Sequence, residues 1–197
     1  MTGRRAKLLL ILAGIVAAAV VLGAWTQDWF SITIDTGQVL PVPGSVAAPA
    51  LTALALSELV LLGAIAIAGP FFRIVLGVIE ALVGFAIGFE ALLSILDPVS
   101  ASAETISTAT GVAGDESIAE LVTAQSVAAW PWVALVGGAL IILLAIGTVL
   151  TARTWPGSSS RKYQAARMEP VDTAKAPRER TAVDDWDALS GGDDPTT

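Results

Sequence analysis

Three carboxylates stand where a carboxylate is costly: Glu58, Glu80 and Glu90 interrupt long runs of leucine, isoleucine, valine, alanine and glycine. In hydrocarbon an ionised carboxylate is poorly solvated and repels its like, so the chemistry open to these residues is proton exchange, interhelical hydrogen bonding or ligand sensing. Little else is available. The 197 residues include no cysteine and no histidine. That removes disulfides, thiolate and imidazole metal ligands, the commonest general base, and the Ser-His-Asp and Cys-His arrangements. No acid, base and nucleophile converge in the sequence, so the chain is expected to be no enzyme, with no catalytic, cofactor-binding or metal site. The lack of cysteine leaves the redox compartment open.

The elements that must hold these carboxylates are membrane spans. Hydrophobic residues make up 54% of the chain and its mean hydropathy is +0.73, values that belong in a bilayer. Four apolar runs, about 8–25, 48–69, 71–96 and 130–152, each approach the ~20 residues that cross ~30 Å of hydrocarbon as a helix. In lipid the intrahelical bonds outweigh the weak helix propensity of glycine and β-branched residues. The expected fold is an all-α membrane protein, a four-transmembrane-helix bundle over residues 1–152 with a cytoplasmic, largely disordered tail over 153–197.

Charge sets the threading. Arg4, Arg5 and Lys7 precede the first run, Arg73 sits at the turn between the second and third, and Arg153, Arg161, Lys162 and Arg167 follow the fourth. The other loops, 26–47 and 97–129, have no Lys or Arg and instead carry Asp28, Asp35, Asp97, Glu104, Asp115, Glu116 and Glu120. The positive-inside rule then places both termini in the cytoplasm of a multi-pass plasma-membrane protein. A competing reading makes residues 1–24 a cleavable signal peptide ending at Gly23 and Ala24. The length of the run, and Trp25 and Trp29 as outer-interface anchors, favour a retained helix. Arg4-Arg5 lacks the surroundings of a twin-arginine signal.

The outer loops carry local signals. Phe30, Ile32 and Ile34 alternate with Ser31, Thr33 and Asp35 ahead of Thr36 and Gly37, which predicts a short strand and a hairpin, with Pro41 and Pro43 confining any partner strand to an edge. Ser117 followed by Glu120 fits a capping box opening a helix with Ile118, Leu121 and Val122 on one face. Pro131 is tolerated in a first helical turn, and Trp130 and Trp132 form an aromatic girdle.

Glu58 lies twelve residues before Pro70 and Glu80 ten after it. The tight Gly69-Pro70 connection makes the second and third spans antiparallel neighbours, so the two carboxylates sit within ~3 Å of the same depth. They are a candidate intramembrane polar pair: a proton shared between them is the expected state, and any titration would belong to the pair. A plain interhelical clasp, typically worth about 1 kcal/mol, is the simpler reading. Glu90, about 10 Å from Asp97 along the helix, is expected to reach water or a partner. Gly84 and Gly88, extended by Gly77 and Ala81, together with Gly14, Ala18, Ala134 and Gly138, mark packing faces, and bundle packing accounts for them more simply than a dimer interface.

Beyond Arg153 the composition turns polar, with too little apolar surface to offset ordering entropy. Within this tail Trp186 and Leu189, three apart behind acidic residues and followed by glycines and Asp193, Asp194 and Pro195, have the form of one helical turn that folds as it docks on a partner.

The run Trp130-Pro131-Trp132 opening a glycine-rich last helix, the segment RTWPGSSSRKY at 153–163 and the terminal WDALSGGDDPT from Trp186 together resemble the tryptophan-operon-associated membrane protein family of actinobacteria. The basic residues before Trp155-Pro156-Gly157 look like that family's juxtamembrane motif, although Lys162 separates Arg161 from Tyr163. The resemblance implies four spans and a link, by gene neighbourhood, to tryptophan biosynthesis. It implies no activity and transfers no residue role.

The leading expectation is a non-enzymatic accessory protein whose cytoplasmic tail docks a cytosolic protein. The alternative is a small transporter or transport subunit for tryptophan, indole or a precursor, using Glu58 and Glu80. Four spans are few for a complete carrier, so this alternative calls for a homo-oligomer. A dual-topology exporter conflicts with the one-sided Lys/Arg distribution, and a membrane enzyme lacks a convergent site. The lipid bilayer is the expected environment, and no nucleic-acid partner is expected. For topology, a reporter fused after Thr197 is expected to fluoresce as a cytoplasmic green protein and to be silent as a periplasmic phosphatase; the opposite pattern overturns the threading.

Overall fold

The structure, a computed structural model, describes residues 3–155. Four long helices dominate it: α1 (Gly3–Trp25), then, after β1 (Asp28–Ile34), β2 (Val39–Pro43) and the short α2 (Gly44–Ala47), α3 (Ala50–Ile67) and α4 (Pro70–Leu96). Three short helices follow, α5 (Pro98–Ala101), α6 (Ala103–Thr110) and α7 (Asp115–Leu121), then β3 (Val122–Val127) and the last long helix, α8 (Trp130–Thr151). The long helices α1, α3, α4 and α8 are each long and apolar enough to cross a membrane. Their boundaries fall within a few residues of the apolar runs, the largest difference being at α1, which begins at Gly3 because Arg4, Arg5 and Lys7 prolong the helix beyond the hydrocarbon-length segment. Proline opens two of them: Pro70 and Pro131 occupy first-turn positions whose N–H groups have no intrahelical partner.

The helices close into a ring in which α1 packs on α3 and α8, and α4 packs on α3 and α8. Every contacting pair is antiparallel. Buried positions recur at alternating steps of four and three: Leu51, Ala55, Glu58, Leu62 and Ile65 on α3, and Arg73, Gly77, Glu80, Gly84, Ile87, Ala91 and Ser94 on α4. This seven-residue repeat is the seam of left-handed, knobs-into-holes packing. The outward surfaces are the apolar ones, with Val60, Phe71, Leu82, Val136 and Leu143 all more than half exposed, as lipid-facing side chains should be.

Glycine sets the spacing between α4 and α8. A Cβ on Gly138 would lie 2.7 Å from both the Gly84 carbonyl oxygen and the Gly88 nitrogen, and one on Gly84 would lie 2.9 Å from the Gly138 oxygen. The two backbones therefore touch directly. Gly77 continues the seam against Val149, while Gly14 receives Leu62 of α3 and Gly137 receives Val21 of α1. The small residues marked in the sequence thus serve the bundle's own packing.

A sheet forms at the end of the bundle opposite Gly3 and Trp155. Its order is β2-β1-β3, both pairings antiparallel. The expected hairpin is present, with Pro41 and Pro43 on an edge strand. The third strand, which the sequence did not signal, comes from the other loop and joins the two hairpins of the bundle. Phe30, Ile32 and Ile34 face the core, continuous with Trp29, whose indole N–H donates to the Ala24 carbonyl at 2.8 Å. Gly44 has no alternative there, since a Cβ would meet the Trp29 ring nitrogen at 2.5 Å. Ser94 donates to the Ala47 carbonyl at 2.8 Å and ties α4 to α2.

The capping box at Ser117 does not form. Gly114, with φ of 103°, lets α7 begin at Asp115, and no side chain caps it. Ser117 therefore lies inside the helix, Ile118 is buried, and Val122 belongs to β3 instead of the helical face, because pairing with Ile34 draws it into the sheet.

Replacing Gly138 or Gly84 with valine should destabilise the bundle by about 1–3 kcal/mol or more, as overpacking against rigid backbone does. Gly63→Ala, at a site with nothing within 4 Å, should be neutral or slightly stabilising. Reversible unfolding in mixed detergent measures both; equal effects at the two kinds of site contradict the packing.

Candidate functional site

Glu58 comes from the middle of α3 and Glu80 from the second turn past Arg73 on α4, both on the inward stripe of the seven-residue repeat. Both are 0% exposed. The two residues lie on the buried stripes of neighbouring helices, since α3 packs on α4. Yet all four of their carboxylate oxygens are without a hydrogen-bond partner among the described residues. They do not clasp. Thr148, buried on α8, faces Glu80, but the hydroxyl does not close a bond of ordinary length and angle with it. The pair is thus walled by three helices: α3 and α4, which carry it, and α8.

Two turns toward the terminal end of the bundle lies a cation that the sequence placed at a solvent-facing turn. Arg73 is 1% exposed, because it occupies the same inward stripe as Gly77 and Glu80. Its Nη1 donates to the Ala152 carbonyl oxygen at 3.1 Å, and its guanidinium lies 5.0 Å from the centroid of the Trp155 ring. The Trp155 indole N–H in turn donates to the Thr151 hydroxyl at 2.9 Å. At the same end Lys7 of α1 donates to the Ala66 carbonyl oxygen at 2.6 Å. The last carbonyls of a helix carry a partial negative charge and lack intrahelical donors. Here α3 and α8, with no basic residue in their own last turns, receive cations from α1 and α4.

Arg73, Lys7, Thr148 and Trp155 were not singled out as site residues in the sequence. The four-three spacing of Arg73, Gly77, Glu80 and Gly84 was the available signal, and a basic residue on that stripe is an inward one. Glu90 is half-buried on α4, two turns before Asp97. No group of three or more His, Cys, Asp or Glu residues gathers among the described residues. The tail candidates Trp186, Leu189, Asp193, Asp194 and Pro195 lie outside the described residues.

A ring of four helices, each long and apolar enough to cross a membrane, defines a polytopic membrane protein. The chain belongs to the family of tryptophan-associated transmembrane proteins, whose model matches residues 11–196. No curated protein matches the chain, and no solved structure does.

The Arg73 contacts fasten the start of the segment after α8 to the bundle. Trp155→Ala should cost about 0.5–2 kcal/mol of stability, the range of a desolvated cation–π contact. Arg73→Lys should cost a similar amount, because an ammonium cannot keep both the Ala152 bond and the flat stacking on Trp155. If the contact is real, the double variant loses clearly less than the sum of the single variants; strict additivity in detergent unfolding rules it out.

Proposed function

We propose that this chain is a non-enzymatic transport subunit of the plasma membrane, in which Glu58 and Glu80 take up and release a proton as the solute passes. The observation that carries this reading is the set of four carboxylate oxygens enclosed in the bundle with no hydrogen-bond partner among the described residues. A clasp made for stability would satisfy them, since an unpaired buried polar group costs free energy that a hydrogen bond would recover. Groups left open in an apolar interior are suited to an exchangeable occupant. Membership in a family described as tryptophan-associated supports an aromatic solute, namely tryptophan, indole or a precursor. The segregation of Lys and Arg supports cytoplasmic termini. Four spans call for a second copy to complete a path.

A second reading, an accessory protein that presents its tail to a cytosolic partner, is favoured by the contact between Arg73 and Trp155. That contact holds the first residues after α8 against the bundle end and would define where a docking segment starts.

Glu58→Gln and Glu80→Gln separate these readings. Under the transport reading each variant loses most proton-coupled uptake or export of the aromatic solute in cells that depend on this protein. Its stability in detergent should hold or rise, because an amide is easier to bury than a carboxylate. Unchanged transport in both variants refutes the site. Removal of residues 181–197 should leave uptake intact under the transport reading; under the docking reading it abolishes recovery of cytosolic partners.

A further inference from the structure

The three-stranded sheet has two edges that differ in their backbone chemistry. The Ile34 N–H donates to the Gln38 carbonyl at 3.0 Å, and with the pairs Phe30↔Val42 and Ile32↔Leu40 this turns the even-numbered backbone groups of β1 toward β2. The Ala128 N–H donates to the Trp29 carbonyl at 2.8 Å, and with Ser31↔Ser126 and Thr33↔Ala124 this turns the odd-numbered groups toward β3. Alternation along an antiparallel strand then fixes which groups point out of the sheet. On β2 they belong to Val39, Pro41 and Pro43. On β3 they belong to Gln125 and Val127.

Prolines at two of the outward positions of β2 leave no donor there, which closes that edge to pairing. The other edge has no such protection. Val122–Val127 contains neither proline nor a charged residue, and every residue from Thr123 to Val127 is exposed. An edge of this kind is a template for an added strand.

The charge around it specifies the partner. Asp35 and Glu120 stand at one end of β3, where the Asp35 N–H bonds the Leu121 carbonyl, and Asp28 stands at the other; all three are exposed. Every charged residue in the segments 26–47 and 97–129 is Asp or Glu. A second copy pairing through the same edge would bring acidic ends against acidic ends. A segment with Lys or Arg on either side of a short uncharged run meets attraction at both ends.

We infer that the free edge of β3 docks an extended segment of a second protein, lying on the same side of the membrane as the sheet, as a fourth strand with flanking basic residues. This stands apart from the carboxylate site and holds whichever way the chain is threaded.

The test uses the full chain in lipid nanodiscs and a labelled peptide of alternating Thr and Val with lysines at both ends. Saturable binding is expected, weakened by salt, unchanged in Gln125→Ala and reduced about tenfold or more in Gln125→Pro, which loses the outward donor without touching the β1 ladder. On the unaltered protein, the same peptide N-methylated along its pairing edge should lose binding equally, so the result does not rest on how the proline variant folds. Absence of saturable binding overturns the proposal, as does equal binding of the N-methylated peptide or of one with glutamates at its ends. So does a disulfide-linked dimer of Gln125→Cys that the lysine peptide fails to suppress, because it assigns the edge to a second copy; in a chain without native cysteine that bond has one source.

Discussion

Direct contact between two backbones, at Gly84 of α4 and Gly138 of α8, governs the rest of the bundle. With the carbonyl of each glycine occupying the space where the other's Cβ would lie, the helices are as close as main chains can come. Everything along that seam is then in register. Gly77 meets Val149, Glu80 faces Thr148, and Arg73 reaches the carbonyl of Ala152. In a solvent as apolar as the side chains themselves, association comes from such close packing and from the few polar contacts it permits. A wider spacing would admit lipid or repacked side chains between α4 and α8 and would separate the carboxylates from their third wall.

The polar residues of the interior are consequently sorted by depth. Cations occupy the end where helices α3 and α8 present bare carbonyls, and each donates to one of them. Carboxylates occupy the middle, without a hydrogen-bond partner among the described residues. Backbone carbonyls thus receive the cations, while the carboxylate oxygens have no hydrogen-bond partner among the described residues.

Much of this was legible in the amino-acid order. The four long helices follow from apolar runs of membrane-crossing length. The β1–β2 hairpin follows from strict alternation between Phe30 and Asp35. Three features were not legible, each for a physical reason. The segment VTAQSV has no alternating pattern and no buried side chains beyond its first residue, so its extended form is imposed by pairing with β1 and not by its own composition. Arg73 next to a helix start is ambiguous between a topology charge and an interior one until the stripe it belongs to is known. The start of α7 is set by Gly114, whose positive φ of 103° suits glycine, and this outweighs the cap that Ser117 offers in isolation.

The sheet also imposes a schedule. Its central strand is synthesised early and pairs at once with β2, a few residues away, whereas the bonds between β1 and β3 join groups about ninety residues apart. Those bonds cannot form until α3 and α4 have been inserted and the second loop has emerged. Such long-range pairing is the slow kind, since its loop-closure entropy must be overcome before any contact compensates for it. Until then the unpaired side of β1 is an exposed edge on a half-built protein, and β3 covers it just ahead of the last long helix, α8.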